Sequence, residues 1–248
     1  MKKIEVSEKT LAKFRKVRCT DVADALDSLG LQDLQIMDPA IRPVWKPVRM
    51  VGIAKTFQLL RRREYWRFDS FEDYMMKTQV GYVYLKEGDK GVRDWENPVD
   101  EFLRRGQSLK DTVLVYQSGE RIPHGFWGSE ISLRAMALGV VGTVFDGGCR
   151  DTEQIELQKY PMYARSITCT HGGVRLYLAA EDVQIECGGV SVRPGDVVIG
   201  DNDGVVVVPQ EKAEVVADLA LKVLDQDLKW RRIYYKQLGL KPDASLEG

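Results

Sequence analysis

The stretch from residue 128 to residue 151 constrains the fold of this 248-residue chain more than any other. Residues 130–138 have the spacing of an amphipathic helix that ends at Gly139, and residues 140–145 form an apolar run typical of a buried strand. A helix that leads directly into a fully apolar strand is typical of an α/β fold, in which helices cover a sheet. The sequence therefore predicts a single α/β domain spanning residues 1–248.

Patterns of the same two kinds occur along the rest of the chain. Five stretches predict helices: residues 7–17, residues 20–29, Ser70 through Met75, Asn97-Pro98 to Gly106, and residues 210–238. The first begins at Ser7, and the second has Thr20 as its N-cap and ends at Gly30. The fourth begins with proline in its first turn. The strand-like ones cover residues 48–60, interrupted at Gly52, and residues 111–116. Residues 187–190 predict a hairpin and residues 193–196 predict a turn.

Two of these helices carry an apolar stripe that predicts their buried face. In the second helix the stripe consists of Val22, Ala25, Leu26 and Leu29. In the last helix it consists of Val215, Leu219 and Val223, and the distal half of that helix is polar. We expect this long helix to reach a neighbouring subunit.

Charge and hydropathy exclude several functional classes. The 36 Lys and Arg residues balance 37 Asp and Glu residues, and the basic cluster Arg61–Arg63 is followed at once by acidic residues, so we expect no nucleic-acid partner. No apolar run approaches the ~18 residues of a membrane span, and none follows the first lysines as in a secretory signal. The four cysteines include no C-x-x-C pair, which fits free thiols in a reducing compartment. We therefore predict a cytoplasmic protein that does not bind membranes.

The predicted loop at residues 146–151, Asp-Gly-Gly-Cys-Arg-Asp, follows the buried strand directly. Ligands of α/β folds collect outside the carboxyl ends of strands, so this loop is a candidate site. Arg150 and Asp151 present a cation and an anion to the same space, which suits an oxo acid bound beside a divalent metal ion. The simpler alternative is a surface ion pair that caps a short helix.

Four blocks, in order along the chain, resemble the family that joins the 4-hydroxy-4-methyl-2-oxoglutarate aldolases (class II pyruvate aldolases) with the regulator of ribonuclease activity A. They are residues 20–26 with Leu29-Gly30; residues 49–52 with Ala54; Trp127-Gly128 through Gly139, Gly142 and Asp146-Gly147 to Arg150-Asp151; and residues 194–196 through residues 201–205 to Pro209. Together they span residues 20–209.

The resemblance implies an α-β-β-α swivelling sandwich of the phosphohistidine-domain type, with an extra helical segment and a long C-terminal helix. It also implies a homotrimer or homohexamer with active sites between subunits. In such a site Asp151 binds Mg²⁺ or Mn²⁺ and waters complete the metal's shell. Arg150 contacts the keto oxygen of a pyruvate moiety, and backbone amides hold its carboxylate at the start of a helix, at Gly128, Ser129, Glu130 and Ile131.

The reaction implied is the retro-aldol cleavage of a small 4-hydroxy-2-oxo acid to pyruvate, or a close analogue, and a second carbonyl compound. The metal and Arg150 would stabilise the enolate while a base removes the C4 hydroxyl proton. Decarboxylation of oxaloacetate passes through the same enolate and is expected as a side activity.

The chain departs from the family pattern at the acidic positions. The residue after Gly128 is acidic in typical aldolases and is Ser129 here, a side chain that orients water but is not a base near neutral pH. Glu130 could supply the missing negative charge only if the helix began one residue later. A shift of one residue turns a side chain by roughly 100° about the helix axis. Likewise Gln154 stands where an acid is common, with Glu153 beside it.

A further acidic residue comes, in aldolases of this type, from the distal C-terminal helix of a neighbouring subunit. Asp227 lies where that residue would fall, with Asp225 as the second choice. A solvated helix face is the alternative interpretation.

The segment at about residues 61–110 is longer than the family usually has and is rich in aromatic residues and methionine. It predicts either a satellite helix with its own small core or a lid over the substrate pocket. His124 is a candidate proton carrier or a structural loop histidine, and Cys149 is a packing residue because the motif supplies no activating base.

Two other functions stay open beside the metal-dependent lyase. The neutral Ser129 would fit a non-catalytic regulator that binds a protein partner, as the ribonuclease-regulating members do. The altered acids would fit a metal-assisted dehydratase, decarboxylase or tautomerase of a sugar-derived oxo acid.

Overall fold

We describe a computed structural model of the chain, which covers residues 5–64, 66–78, 99, 102–103, 105–118 and 123–246. The helices are α1 (Glu8–Phe14), α2 (Cys19–Ser28), α3 (Phe71–Thr78), α4 (Ser129–Ala137), α5 (Thr152–Leu157) and α6 (Ala213–Leu238). The strands are β1 (Arg42–Pro43), β2 (Met50–Arg61), β3 (Thr112–Gln117), β4 (Gly125–Trp127), β5 (Gly142–Cys149), β6 (Met162–Ile167), β7 (Leu176–Glu181), β8 (Ile185–Cys187), β9 (Val190–Val192), β10 (Val197–Gly200) and β11 (Val205–Val208).

Nine of the strands among the described residues form one mixed sheet in the order β1-β6-β5-β3-β2-β10-β11, with β4 added beside β5 and β7 beside β2. Strands β2, β3, β4, β5 and β6 pair in parallel, whereas β7, β10 and β11 run antiparallel to their neighbours. The sheet curves toward a closed barrel, and β8 and β9 form a separate hairpin. The α/β class is confirmed, and the swivelling arrangement stays a prediction.

Apolar side chains fill the space on both sides of the sheet. On one side α1, α2 and α6 pack on β10 and β11 through side chains such as Phe14, Leu26 and Val216. On the other side the core is formed largely by aromatic side chains of the strands themselves, among them Phe57, Tyr116 and Trp127. This second core lies directly beneath the strand ends that carry the candidate site.

Several predicted elements are confirmed in detail. The Ser7 hydroxyl accepts the Thr10 N–H at 3.2 Å and the Ser70 hydroxyl accepts the Asp73 N–H at 3.1 Å, so both residues cap their helices. Three other elements also lie where the sequence predicted them: strand β3, the β8–β9 hairpin and the turn at residues 193–196. In that turn the Asp196 N–H donates to the Arg193 carbonyl. The predicted helix start at Asn97-Pro98, and much of the long segment that contains it, lies outside the described residues.

The predicted cap and stripe of α2 are partly wrong. The helix begins at Cys19 after Arg18, whose backbone N–H donates to the Asp21 carboxylate at 2.8 Å, so Thr20 lies inside the first turn. Val22, Ala25 and Leu26 are buried, whereas Leu29 is 38% exposed. The helix ends before Leu29, and Gly30 follows with a φ of 76°, so the predicted end is confirmed.

The buried face of α6 is shifted from the predicted stripe. A short 3₁₀ turn, Gln210–Lys212, precedes the α-helix, and the face of α6 that packs on α1, α2 and the sheet is offset from Val215. Val215 is 42% exposed, and the buried positions are Ala213, Val216, Ala217, Ala220, Leu224 and Leu228. The three small alanines allow α6 to pack closely on α2.

Two predicted strand boundaries are also wrong. Strand β2 continues through Gly52, where a Cβ atom would lie 2.6 Å from the Asp111 carbonyl oxygen of the neighbouring chain segment. Strand β5 extends four residues beyond Phe145, so the predicted loop at residues 146–149 is strand. Gly148 permits this because it lies against the His124 carbonyl, 2.7 Å from the position a Cβ atom would take.

No helix among the described residues combines the length and the apolar character that crossing a bilayer requires.

The corrected stripe of α6 is testable with two adjacent valines. We expect Val216→Ala to lower the free energy of unfolding by about 1.5–3 kcal/mol, because Val216 is fully buried and truncation leaves a cavity. We expect Val215→Ala to change it by less than about 0.5 kcal/mol, as at other exposed positions. Urea unfolding of both variants measures the difference, and equal losses would contradict this packing of the helix.

Candidate functional site

The candidate site lies where β5 ends and α5 begins. Strand β5 is buried at every position and pairs in parallel with β3, β4 and β6, so its carboxyl end is held rigidly. Only Arg150 and Asp151 separate it from α5. Asp151 has a φ of 57°, a left-handed conformation that aspartate tolerates better than most residues, and it turns the chain sharply into the helix.

The Asp151 carboxylate is held by the start of α4. Its Oδ2 atom accepts the Ser129 backbone N–H at 3.1 Å and lies 3.2 Å from the Ser129 hydroxyl oxygen. A Cβ atom on Gly128 would stand 2.7 Å from the same oxygen, so this close approach requires glycine. The Arg150 N–H donates to the Trp127 carbonyl at 2.9 Å and joins the two segments further.

The Arg150 guanidinium lies beside this carboxylate without a direct hydrogen bond to it. Its Nε atom is 3.7 Å from Asp151 Oδ1, and the side chains are 28% and 35% exposed. At that separation the two charges attract each other while the nitrogen and the oxygen both keep room for a ligand. The simpler interpretation as a closed surface ion pair therefore fits the geometry less well.

The first turn of α4 provides backbone donors next to this pair. The resemblance implied that amides from Gly128 to Ile131 hold a carboxylate, but the Ser129 N–H already donates to Asp151. The N–H groups of Glu130 and Ile131 lie in the same turn, where a helix has no internal acceptors for them. These two donors therefore have no acceptor within α4.

The other predicted acidic residues are not brought to Asp151 within one chain. The Glu130 side chain is 64% exposed and pairs with Arg134 along α4. Glu153 and Gln154 are exposed on α5. Asp227 accepts one hydrogen bond from Arg18 at 2.7 Å and forms an ion pair with Arg231 at 2.8 Å. Asp225 pairs with Lys229 at 2.6 Å.

His171 is a site residue that the sequence analysis missed. Burial lowers the pKa of its imidazole to about 4, and the charges of Arg150 and Arg175 act in the same direction while Asp151 opposes them. The imidazole is therefore neutral at pH 7. The turn that carries it packs on β4 beside Arg150, because the Gly172 N–H donates to the Gly125 carbonyl at 2.9 Å. The Gly172-Gly173 pair that follows His171 was the available signal, since it allows the turn to approach β4 closely.

The roles of the other weighed residues follow from their surroundings. Burial raises the pKa of the Cys149 thiol to about 12, which excludes a thiolate at neutral pH and fits the predicted packing role. All four cysteines are free. The carbonyl of His124 accepts the Phe126 N–H at 2.8 Å and so supports the start of β4.

A divalent cation would find one protein carboxylate here. The described residues contain no group of three or more His, Cys, Asp or Glu side chains able to hold a metal ion together. Mg²⁺ commonly binds through one or two carboxylates and keeps several of its waters, so the single hard oxygen donor of Asp151 fits such an ion. A site that supplies all ligands from the protein does not fit these residues.

A family model described as "RraA-like: Aldolase/RraA" matches residues 19–207. Among curated proteins, the chain is 24% identical over 212 residues to Protein DlpA of Legionella pneumophila, a match that covers 84% of the chain and 29% of DlpA. The chain thus spans less than a third of the length of that relative. It is also 27% identical over 212 residues to a protein of Halalkalibacterium halodurans named "Putative 4-hydroxy-4-methyl-2-oxoglutarate aldolase", covering 86% of the chain and 82% of that protein.

A solved structure shows the same fold. Streptomyces coelicolor RraAS2, described as "an unusual member of the RNase ES inhibitor RraA protein family", superposes with a TM-score of 0.68 over 93% of this chain and all of the other. The two sequences are 22% identical, so this likeness concerns the fold.

The lowered pKa of His171 is testable by titration. Because the folded pKa, about 4, lies below the unfolded value of about 6.5, His171 stabilises the protein above pH 6.5 and this contribution is lost as the pH falls toward 4. We expect its imidazole proton signal to stay constant by NMR from pH 7.5 to pH 5, with His171→Gln identifying the signal. We also expect urea unfolding to show a smaller loss of stability in His171→Gln over this range, and a midpoint near 6.5 would contradict the placement.

Proposed function

The chain belongs to the RraA-like family, and we propose that it is a divalent-metal-dependent lyase that cleaves a 4-hydroxy-2-oxo acid by a retro-aldol reaction. The products would be pyruvate, or a close analogue, and a second carbonyl compound. Decarboxylation of oxaloacetate is proposed as a side activity because it forms the same enolate.

The observation that carries this proposal is the arrangement of Arg150 and Asp151 at the carboxyl end of β5. One carboxylate oxygen is fixed by Ser129, while the guanidinium lies close by without a hydrogen bond to the carboxylate. Such a preorganised cation and anion suit a bound oxo acid, because the charges need little rearrangement when negative charge develops on the substrate. The name of the H. halodurans relative supports the same reaction class.

We propose that Asp151 holds Mg²⁺ or Mn²⁺. When bound, the ion supplies a Lewis acid that polarises the C2 carbonyl of the substrate. The Ser129 N–H and hydroxyl orient the carboxylate for this role and keep it from rotating toward Arg150.

Arg150 is proposed to donate to the C2 keto oxygen and to stabilise the charge that develops there when the C3–C4 bond breaks. The substrate carboxylate would accept the N–H groups of Glu130 and Ile131 at the start of α4. The partial positive charge of that helix end favours an anion at this position.

The proton of the C4 hydroxyl needs an acceptor. Ser129 would orient a water molecule but not act as the base. Glu130 would have to leave its pair with Arg134, and Asp227 would have to come from a neighbouring subunit of a homotrimer or homohexamer. The neutral imidazole of His171 is the titratable group that the fold adds to this neighbourhood.

Removal of the Asp151 carboxylate is the most direct test of the metal site. We expect Asp151→Ala to abolish metal-dependent turnover because no other carboxylate of the described residues stands in the cluster. Asp151→Asn is the matched control for the backbone, since asparagine tolerates the left-handed conformation whereas alanine is strained there. Undiminished activity in both variants would overturn the proposed site.

The contribution of Arg150 is tested separately. We expect Arg150→Ala to lower the rate by at least about two orders of magnitude, the scale of losing one preorganised charge stabiliser. Steady-state kinetics at saturating metal measures the effect. A loss confined to KM would instead indicate that Arg150 binds the ground state only.

The proposed function can be tested without the true substrate by following the exchange of pyruvate methyl protons in D₂O. We expect exchange in the presence of Mg²⁺ or Mn²⁺ that is lost with a chelator and in Asp151→Asn. Absence of exchange in folded, oligomeric protein would reject the pyruvate lyase. That result would leave two alternatives, a metal-assisted reaction of another oxo acid and a non-catalytic regulator. Binding of a protein partner that persists in the presence of a chelator would identify the regulator.

A further inference from the structure

The peptide unit between Gly128 and Ser129 is held at both of its ends. Its N–H donates to the Oδ2 atom of Asp151 at 3.1 Å. Its carbonyl accepts two hydrogen bonds from one residue of α4, from the Ser132 backbone N–H at 3.2 Å and from the Ser132 hydroxyl at 3.0 Å. Because a trans peptide unit is planar and its C=O and N–H point in opposite directions, fixing the carbonyl also fixes the N–H that reaches Asp151.

The direction of the Ser132 hydroxyl is set by the Trp127 indole. The indole Nε1–H donates to the Ser132 hydroxyl oxygen at 2.9 Å, and both side chains are fully buried. A hydroxyl that accepts this hydrogen bond keeps its own proton for the Gly128 carbonyl. The two bonds run in one direction, from Trp127 through Ser132 to Gly128, and consecutive hydrogen bonds strengthen one another in a buried setting.

The indole is itself held in place by its neighbours. The Tyr160 ring stacks on it, with 6.0 Å between the ring centres and 10° between the planes. The Tyr160 hydroxyl oxygen lies 2.7 Å from the Thr143 hydroxyl oxygen, and the Tyr160 carbonyl accepts the Trp45 indole N–H at 2.7 Å. These contacts keep the Trp127 indole in the orientation in which its N–H meets Ser132.

The choice of serine at position 132 suits this connection better than it suits the helix. Ser132 is the fourth residue of α4, where alanine would be the better helix former. A serine hydroxyl that bonds back to the carbonyl four residues earlier slightly destabilises a helix. Alanine would fill the buried position, but it would leave the Trp127 indole N–H without this acceptor, and an unpaired buried donor is costly.

We propose that Ser132, oriented by Trp127, is a positioning residue for Asp151. It acts through the Gly128–Ser129 peptide, which presents the Asp151 carboxylate in one fixed orientation. The inference rests on the proposed function, in which Asp151 holds Mg²⁺ or Mn²⁺. Removal of a group that orients a metal ligand typically costs about 10- to 100-fold in metal affinity, so binding alone reveals the effect.

The first measurement follows the Ser129 N–H directly and needs no metal. Gly128-Ser129 is the only Gly-Ser sequence in the chain, so ¹³C in the glycine carbonyls and ¹⁵N in serine give a single NMR signal for this peptide. We expect Ser132→Ala to speed the hydrogen exchange of this N–H about 10-fold, since the peptide loses one of the hydrogen bonds that hold it.

The second measurement is the affinity for Mn²⁺, taken from the EPR signal of the free ion. We expect Ser132→Ala to lower this affinity about 10-fold. Thr56→Val is the matched control, because it removes another fully buried hydroxyl, which donates to the Val183 carbonyl at 2.5 Å on strand β2. We expect the control to keep both the affinity and the Ser129 exchange within about twofold of the wild-type values.

Trp127→Phe is a second variant, which removes the indole N–H that orients the hydroxyl, and it serves alone if Ser132→Ala does not fold. We expect faster Ser129 exchange and a smaller loss of Mn²⁺ affinity than in Ser132→Ala. We expect the double variant to bind Mn²⁺ as Ser132→Ala does, since Trp127 acts through Ser132. Two independent losses of packing would add instead.

The proposal would be overturned by unchanged Ser129 exchange or unchanged Mn²⁺ affinity in folded Ser132→Ala. Equal losses in Ser132→Ala and Thr56→Val, or additive losses in the double variant, would also overturn it. Wild-type protein that binds no Mn²⁺, or Asp151→Asn that binds it equally well, would instead reject the proposed metal site. The Ser129 exchange then decides by itself whether Ser132 positions Asp151.

Discussion

The parallel pairing of β5 with β3, β4 and β6 is the constraint on which the rest of the site depends. Every position of β5 is buried, and its last two residues pair with both β4 and β6. Because parallel strands end at the same edge of the sheet, this pairing brings the start of α4, the Arg150–Asp151 pair and the β6–β7 turn together. Glycines at positions 125, 128 and 148 make the approach possible, since side chains there would collide with neighbouring backbone or with Asp151.

The distribution of charge around this edge separates the groups that are available from those that are already paired. Glu130, Asp225 and Asp227 pair with basic residues on their own surfaces or on neighbouring helices. The Arg150 guanidinium, by contrast, lies with its Nε atom 3.7 Å from Asp151 Oδ1, without a hydrogen bond to it, and keeps donors for an anion. In a partly buried setting such unpaired donors carry a desolvation cost that an anionic ligand would relieve, which favours an oxo acid as the ligand.

Much of the site's local chemistry follows from residues 128–151 alone. The helix, the apolar strand and the Arg-Asp pair are adjacent in sequence, so periodicity and strand-end reasoning predict them together. The length of β5 was missed because Asp146, Gly147 and Gly148 have the composition of a loop, yet glycine is required where another backbone passes closely. The face of α6 was missed because the helix buries small alanines against α2 rather than the larger Val215, a choice that tertiary packing makes and side-chain hydrophobicity does not reveal.

The sequence by itself determined the α/β class, the membership in the RraA-like family and the identity of the central charged pair, because these depend on local periodicity and on residues close together in the chain. Only the tertiary structure decided that Ser129 fixes Asp151, that Glu130 pairs away from it, and that the turn carrying His171 packs beside Arg150. The hydrogen bond between Ser129 and Asp151 joins residues 22 positions apart and depends on strand pairing, whose register is set by packing of the whole sheet.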